Sequence, residues 1–244
     1  MDCHFSAERL ARLAEIEEWH FWFVGRRKLI ERFLNSPHDP PQLVLDLGCG
    51  TGFTLQRLAA LGYLPMGVDL RREGLERVRS IAPGLPLVQA NVDRIPLKAN
   101  SIDGIVLLDV LEHVDDQALL AQAQRILKPG AWLVFSVPAM PWLWSYRDQA
   151  AGHLRRYTRA QLVQVLTDAN FRIEEMRYYQ CLLMPLVILM RWFGRAGPSL
   201  RDREDRPRPI VNSMLTKINL LENKLGDVVS LPFGTSLIGI CRKV

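Results

Sequence analysis

Cysteine is scarce. Only Cys3, Cys49, Cys181 and Cys241 occur in 244 residues, far apart and without CxxC spacing. That argues against a disulfide framework or a cysteine zinc site and for reduced thiols in a cytoplasmic protein. Long apolar runs are missing too. The longest, Cys181 to Met190, is ten residues with Pro185 inside it, whereas a spanning helix needs about 20. The first residues carry acids and a histidine rather than a basic and then apolar leader, so secretion is not expected. No internal repeat or low-complexity tract occurs. The positive charge, +5 overall, is not gathered into a run, which counts against nucleic acid. It favours partners bearing phosphate or a membrane surface without specifying either. What remains is 48% apolar and 23% charged, enough for one large domain with a real core or a domain with an insertion.

Hydrophobic spacing supplies the order of elements. Leu10, Leu13, Ile16, Leu29, Ile30 and Phe33 recur at helical intervals, predicting one helix over 7–34, which NSPHDPP (35–41) then breaks. From there strands are expected at 42–47, 64–69, 86–90, 102–109 and 131–137. Helices are expected between them at 52–61, 71–81 and 115–127. Unbroken apolar strands alternating with helices indicate a parallel sheet covered on both faces. Helix 158–169 and strand 171–179 continue the pattern, and 236–241 is a final strand. Residues 180–230, rich in Pro and Arg and broken in periodicity, read as an insertion. The division expected is an N-terminal helical segment over 1–41, a main domain over 42–179 and 231–244, and the insertion.

The chemistry begins at Val44-Leu-Asp-Leu-Gly-Cys-Gly-Thr-Gly52. Three alternating glycines at a strand end let backbone approach a ligand without a Cβ in the way. In an open α/β sheet the ligand sits beyond the carboxyl ends of the strands. A dinucleotide fingerprint fails, because Phe53 stands where its third glycine belongs. A phosphate loop fails too, because no Lys follows. Asp46 would repel a pyrophosphate but attract an ammonium or sulfonium, by ~4 kcal/mol at about 4 Å for an effective dielectric near 20. Asp69, ending the next strand, can accept both hydroxyls of a ribose. A nucleoside with positive charge near the glycines is the ligand these residues select, and S-adenosylmethionine meets both conditions.

The stretches VLDLGCGTG, GVDL, NVDRIP, SIDGIVLLDVLEHV and RILKPG, over residues 42–137, resemble the class I S-adenosylmethionine-dependent methyltransferases. The resemblance implies a Rossmann-like, doubly wound seven-stranded sheet with its last strand antiparallel. It implies Asp69 on the ribose, with the neighbouring Leu70, and the backbone of Gly48, Cys49, Gly50 and Gly52 toward the methionine part. Asn91 stands where the family often has Asp. With Val92 and Asp93 it is expected at the adenine, and Leu108 and Asp109 at the floor of the site. EEWHFWFVGRRKLI (17–30), LWSYRDQAAGHLRRYT (143–158) and LPFGTSLIGICRK resemble a subgroup associated with bacterial cell-surface glycan and lipid assembly.

These flanking stretches carry two readings each. The aromatic cluster Trp19 to Phe23 with Arg26, Arg27 and Lys28 could lid the cofactor, Arg27 pairing with its carboxylate. The alternative is a helix fixed by aromatic burial with its arginines solvated. After the fifth strand, His153 suits a base that removes the acceptor's proton, Asp148 orienting it and Arg155 and Arg156 holding a phosphate or carboxylate. Alternatively these residues shape the start of the helix that Thr158 caps. Asp109-x-x-Glu112-His113 resembles the ExxEH metal motif of ubiquinone and small-RNA end methyltransferases, with Asp for the first Glu and His153 able to complete the set. The reading adopted assigns no metal. The insertion joins an apolar run to arginines 191, 195, 201, 203, 206 and 208, which suits an interfacial segment on the inner membrane face. A helical pair that caps the acceptor pocket or forms a dimer interface is the alternative. The expected activity is methyl transfer to an oxygen of a lipid-linked or glycan-type small molecule. The rivals are a non-catalytic S-adenosylmethionine-binding or membrane-adaptor protein and, less favoured, a nicotinamide oxidoreductase.

Overall fold

The computed structural model describes residues 7–34, 42–193 and 206–244. Among them seven strands form one sheet in the order β3-β2-β1-β4-β5-β7-β6. The strands are β1 (Leu43–Leu47), β2 (Leu64–Asp69), β3 (Leu87–Gln89), β4 (Ile102–Leu108), β5 (Leu127–Pro138), β6 (Phe171–Tyr179) and β7 (Ser236–Lys243). The first five pair in parallel, and β7 runs antiparallel between β5 and β6. The expected Rossmann-like sheet with its last strand reversed is therefore present. Strand order reverses between β1 and β4, the place where such sheets bind ligands.

The apolar runs are continuous because both faces are covered. Leu45, Leu47, Ile105, Leu107, Leu133 and Phe135 point to one face, beneath α5 (Asp116–Ile126) and α7 (Arg159–Asp168). The alternate residues Val44, Val106 and Val134 point to the other, with Leu29, Ile30 and Leu34 of α2 (Phe21–Leu34). Asp46 shares the parity of Val44, so it lies on the α2 side. The N-terminal segment is thus one layer of the domain.

Three expectations need correcting. Residues 7–34 are two helices, α1 (Ala7–Ile16) and α2, parted by a turn at 17–20. The β5 strand begins at Leu127, directly from α5. The insertion is more regular than its composition suggests, holding α8 (Met184–Phe193) and α9 (Pro209–Leu225). The arginines at 195, 201 and 203 lie outside the described residues. The remaining helices are α3 (Phe53–Ala60), α4 (Arg72–Ile81) and α6 (Tyr146–Ala151).

The α9 helix packs on α2 by a row of asparagines. Asn212 accepts from Phe21 N–H at 2.9 Å and donates to the Trp19 carbonyl at 2.8 Å. Asn219 donates to the Phe21 carbonyl at 3.1 Å and Asn223 to the Gly25 carbonyl at 2.8 Å. The close crossing needs Gly25, where an added Cβ would lie 2.3 Å from Tyr179 Oη and 2.7 Å from Asn219 Cβ.

Candidate active site

The β1 strand ends in a loop that only glycine can build. Gly48, Gly50 and Gly52 take φ values of 77°, 48° and 83°, in the left-handed region. Gly48 and Cys49 donate to the Val68 carbonyl, holding the loop against the end of β2. Gly50 N–H donates to Asp69 Oδ2 at 2.9 Å, and Arg71 N–H to Asp69 Oδ1 at 2.8 Å. Both oxygens of Asp69 are thereby fixed at the rim. Leu70 is exposed beside it, as are Asn91 and Asp93 after β3, with Val92 buried between them.

Asp46 is the anomaly. It is buried behind the loop, and its Oδ2 accepts no hydrogen bond. Burial, with Asp69 and Glu17 adding repulsion against Arg26, pushes its carboxyl up to about 8. A buried carboxyl with an unpartnered oxygen is costly unless something completes it. The bare loop, the incomplete Asp46 and the fixed Asp69 fit a nucleoside ligand carrying a cationic group. Leu10 of α1 lies over Gly50, and Thr51 donates to Glu17 Oε2 at 2.7 Å, so the N-terminal helices close over this place.

The arginine facing the cleft is Arg26, not Arg27. Arg26 stacks over Trp22 at 4.4 Å and pairs with Asp109 Oδ2. Arg27 instead lies over the Phe53 ring at 5.0 Å, with its guanidinium by the Glu17 and Glu18 carbonyls. One position along a helix turns a side chain by about 100°, and the doublet alone does not say which arginine faces in. The aromatics divide: Trp22 packs on Tyr179 and Phe23, while Trp19 is exposed.

The rim beyond β4 and β5 carries the second group. Asp109, at a positive φ of 54°, accepts from Ser136 Oγ at 2.9 Å. Glu112 is fully buried, neither of its oxygens is hydrogen-bonded, and burial with the charge of Asp109 raises its carboxyl well above the usual range. His153 Nδ1 lies 3.0 Å from Asp148 Oδ1, while its Nε2 is 3.8 Å from Glu112 Oε1. His113 Nδ1 meets the Gly152 carbonyl at 3.2 Å, and its ring stands edge-on to His153 with centroids 4.9 Å apart. Burial, then the nearby His153, lowers the His113 imidazole to about 4, so it is neutral at pH 7. Ligand atoms of Glu112, His113 and His153 lie within 4.8 Å of one another, a grouping able to hold a metal ion.

Asp148 is an organising centre. Its Oδ2 accepts Ser145 N–H at 2.8 Å in a capping box that starts α6, and its Oδ1 takes Arg156 Nε at 2.6 Å. Burial pushes this carboxyl up, but the bonds from His153 and Arg156 outweigh it and hold it well below the usual carboxylate range. Arg156 is therefore not available to an acceptor. It is buried and also donates to the Ala139 carbonyl at 2.7 Å. Arg155 pairs with Asp116 at 2.9 Å, so the expected anion-holding pair is internal structure. Thr158 caps α7 as expected, in a capping box with Gln161.

A cavity of about 440 Å³ lies elsewhere, where β6 meets the end of α9. Its Arg177 is paired with Glu175 and Asp227, so it offers a ligand no unmatched charge there.

Comparison with known proteins identifies the family of this fold. A family model for the methyltransferase domain matches residues 17–176. A probable S-adenosylmethionine-dependent methyltransferase of Mycobacterium tuberculosis is 29% identical over 169 residues, 68% of this chain and 60% of that protein. The chain thus spans about 60% of the length of that curated relative. A ubiquinone biosynthesis O-methyltransferase of Paracidovorax citrulli is 34% identical over 100 residues, 38% of this chain and 42% of the relative. In fold, the chain is similar to an S-adenosylmethionine-dependent methyltransferase of Mesorhizobium loti. The TM-score is 0.61 at 18% identity, covering 90% of this chain and 98% of that one.

Proposed function

Because the chain belongs to the methyltransferase-domain family, with the class I S-adenosylmethionine-dependent methyltransferases, we propose that it methylates an oxygen of a lipid-linked or glycan-type small molecule. S-adenosylmethionine, when bound, supplies a methyl carbon on a sulfonium, an electrophile that needs no further activation. This chain's residues divide the remaining work. Asp46 receives the positive charge of the methionine part and loses its proton in doing so, and the bare backbone at Gly48, Cys49, Gly50 and Gly52 lies alongside. Asp69 accepts the ribose hydroxyls, with Leu70 against the sugar. Asn91, Val92 and Asp93 border the adenine. Arg26, rather than Arg27, faces this cleft, and Asp109 is held by it and by Ser136.

The observation that carries oxygen as the acceptor atom is the Asp148–His153–Glu112 row. An attacking hydroxyl must lose a proton, and imidazole is the side chain matched to neutral pH. Asp148 fixes His153 through Nδ1 and leaves Nε2 directed toward Glu112, at the rim that also carries Asp109. Arg156 positions Asp148 and does not touch the acceptor. A lipid-linked or glycan acceptor is supported by the flanking sequence resemblance and by the apolar surfaces of α8 and α9.

A second reading concerns the same cluster. Two histidines each tethered at Nδ1 by an oxygen, beside a buried carboxylate without hydrogen bonds, also describe an open metal site. Titration of the chelator-treated protein with Co²⁺ decides between them. A ligand-field band that disappears in His113→Ala favours the metal, and a silent titration with His153→Ala inactive leaves the base.

The experiment for the function is mass spectrometry of lipid and glycan extracts from a deletion strain, seeking species lighter by one CH₂ per missing methyl. Their restoration by the wild type but not by His153→Ala supports the proposal. Full restoration by both His153→Ala and Asp148→Asn would favour a non-catalytic cofactor-binding adaptor.

A further inference from the structure

The α9 helix is built inside out. Asn212, Asn219 and Asn223, at spacings of seven and four, face α2 and carry the packing by hydrogen bonds. On the opposite side Ile210, Met214, Lys217, Leu221 and Leu225 recur at helical intervals. Ile210 is 78% exposed, Met214 60% and Leu221 61%. A surface helix ordinarily turns such a row inward, so an outward apolar row marks a contact.

Charge identifies the occupant. Among the described residues, Arg208, Lys217 and Lys224 are exposed along this helix, and its one acid, Glu222, is buried. Glu222 accepts the N–H groups of Cys181 and Leu182, which lead into α8. The α8 helix holds no acid and exposes Leu186, Ile188 and Leu189. A protein partner's interface core tends to exclude lysine, yet Lys217 stands in the middle of the row. A long cationic chain there can lay its methylenes along the apolar row and lift its ammonium to a phosphate layer. Exposed Trp142, on the loop that Arg191 of α8 grips at the Leu143 carbonyl, adds an indole of the kind found at membrane interfaces.

We propose that α8 and α9 dock this protein on the surface of an anionic bilayer. The proposal rests on the lipid-linked acceptor reading and deepens it. Arg191 links α8 to the Leu143 carbonyl and lies 4.0 Å from Asp148, so the docking helix adjoins the residue that holds His153. A lipid-borne acceptor would then reach the rim from the membrane side.

The test is flotation of the full chain with vesicles of phosphatidylcholine alone or mixed with phosphatidylglycerol, alongside calorimetry with S-adenosylhomocysteine. The wild type is expected to float with the anionic vesicles, less at high salt, and to stay behind with the neutral ones. Met214→Glu/Leu221→Glu should abolish flotation, and Lys217→Glu/Lys224→Glu should reduce it several-fold. Both variants should keep the nucleoside affinity of the wild type, which shows that they fold. Wild-type protein that binds the nucleoside but never floats overturns docking and leaves the methyltransferase reading in place. Flotation without nucleoside binding contradicts that reading instead. A Met214→Glu/Leu221→Glu variant that floats like the wild type, or loses only a self-association seen in sedimentation, also overturns the proposal.

Discussion

On the cofactor side of the sheet's rim, each candidate group sits at or next to a strand end: Asp46 and Gly48 at β1, Asp69 at β2, Asn91 after β3. On the proposed acceptor side, His153 is held by Asp148, which Arg156 grips and Arg191 approaches from α8. The first side is written in short contiguous motifs whose geometry follows from strand and turn. The second joins the stretch from Asp148 to Arg156 to Asp109, Glu112 and His113 well before it and to Arg191 well after it. The polar groups also stand differently. Asp69 has both oxygens bonded, while Asp46 on one side and Glu112 on the other carry unpartnered oxygens. Each side is complete in its scaffold and incomplete where a ligand would enter. The two are adjacent, since the charge of Arg26 acts on both Asp46 and Glu112.

The largest effect should separate the two sides outright. His153→Ala is expected to lower kcat by about 10²–10⁴-fold, the usual worth of a positioned base, while S-adenosylhomocysteine affinity stays unchanged. A parallel loss of nucleoside affinity would mean that the sides are not independent. Next comes the layer that joins them. Gly25→Ala puts a methyl against Tyr179 and Asn219 and should cost about 1–3 kcal/mol in denaturant unfolding, the range for overpacking. Asn219→Ala should cost about 0.5–1.5 kcal/mol, the net worth of one hydrogen bond, because it removes the donor to the Phe21 carbonyl together with a buried Oδ1 that has no partner. No change in either would show that α9 is not held to α2 as described.

A smaller effect is the pH dependence of the ligand-free protein. The folded-state value of Asp46, about 8, lies above its unfolded one. The neutral carboxyl therefore contributes stability that is complete below about pH 4 and is lost as pH rises through about 8. Melting temperatures of wild type and Asp46→Asn should diverge with rising pH, the variant being the more stable at pH 9. Parallel curves would contradict a buried, incompletely solvated Asp46.

The sheet was legible because parallel strands buried on both faces are largely apolar, as β1, β4 and β5 are apart from Asp46, Asp103, Lys128 and Ser136. The glycine loop and its acids were legible because backbone conformation and charge suffice to read them. The break at 17–20 was not. The N-terminus of α2 is satisfied by His20 Nδ1, and by Asn212, 191 residues away, neither of which leaves a local capping signal. The α9 helix was foreseen only as part of an alternative helical pair and was not located, because the face it turns to α2 is asparagine and gives no apolar stripe toward the core. Arg26 and Arg27 were indistinguishable until the phase of α2 was known. Arg156 looked available because Asp148, eight residues before it, was assigned to His153 alone, and the Ala139 carbonyl is brought to it by the fold.

The most direct test of the account is calorimetry of S-adenosylmethionine binding near pH 7 in buffers of different ionisation enthalpy, for the wild type and Asp46→Asn. If the buried carboxyl gives up its proton to meet the ligand's positive charge, the wild type releases about one proton on binding. The variant then releases none and binds on the order of a hundredfold more weakly. Equal affinity and no proton release in either protein would contradict it.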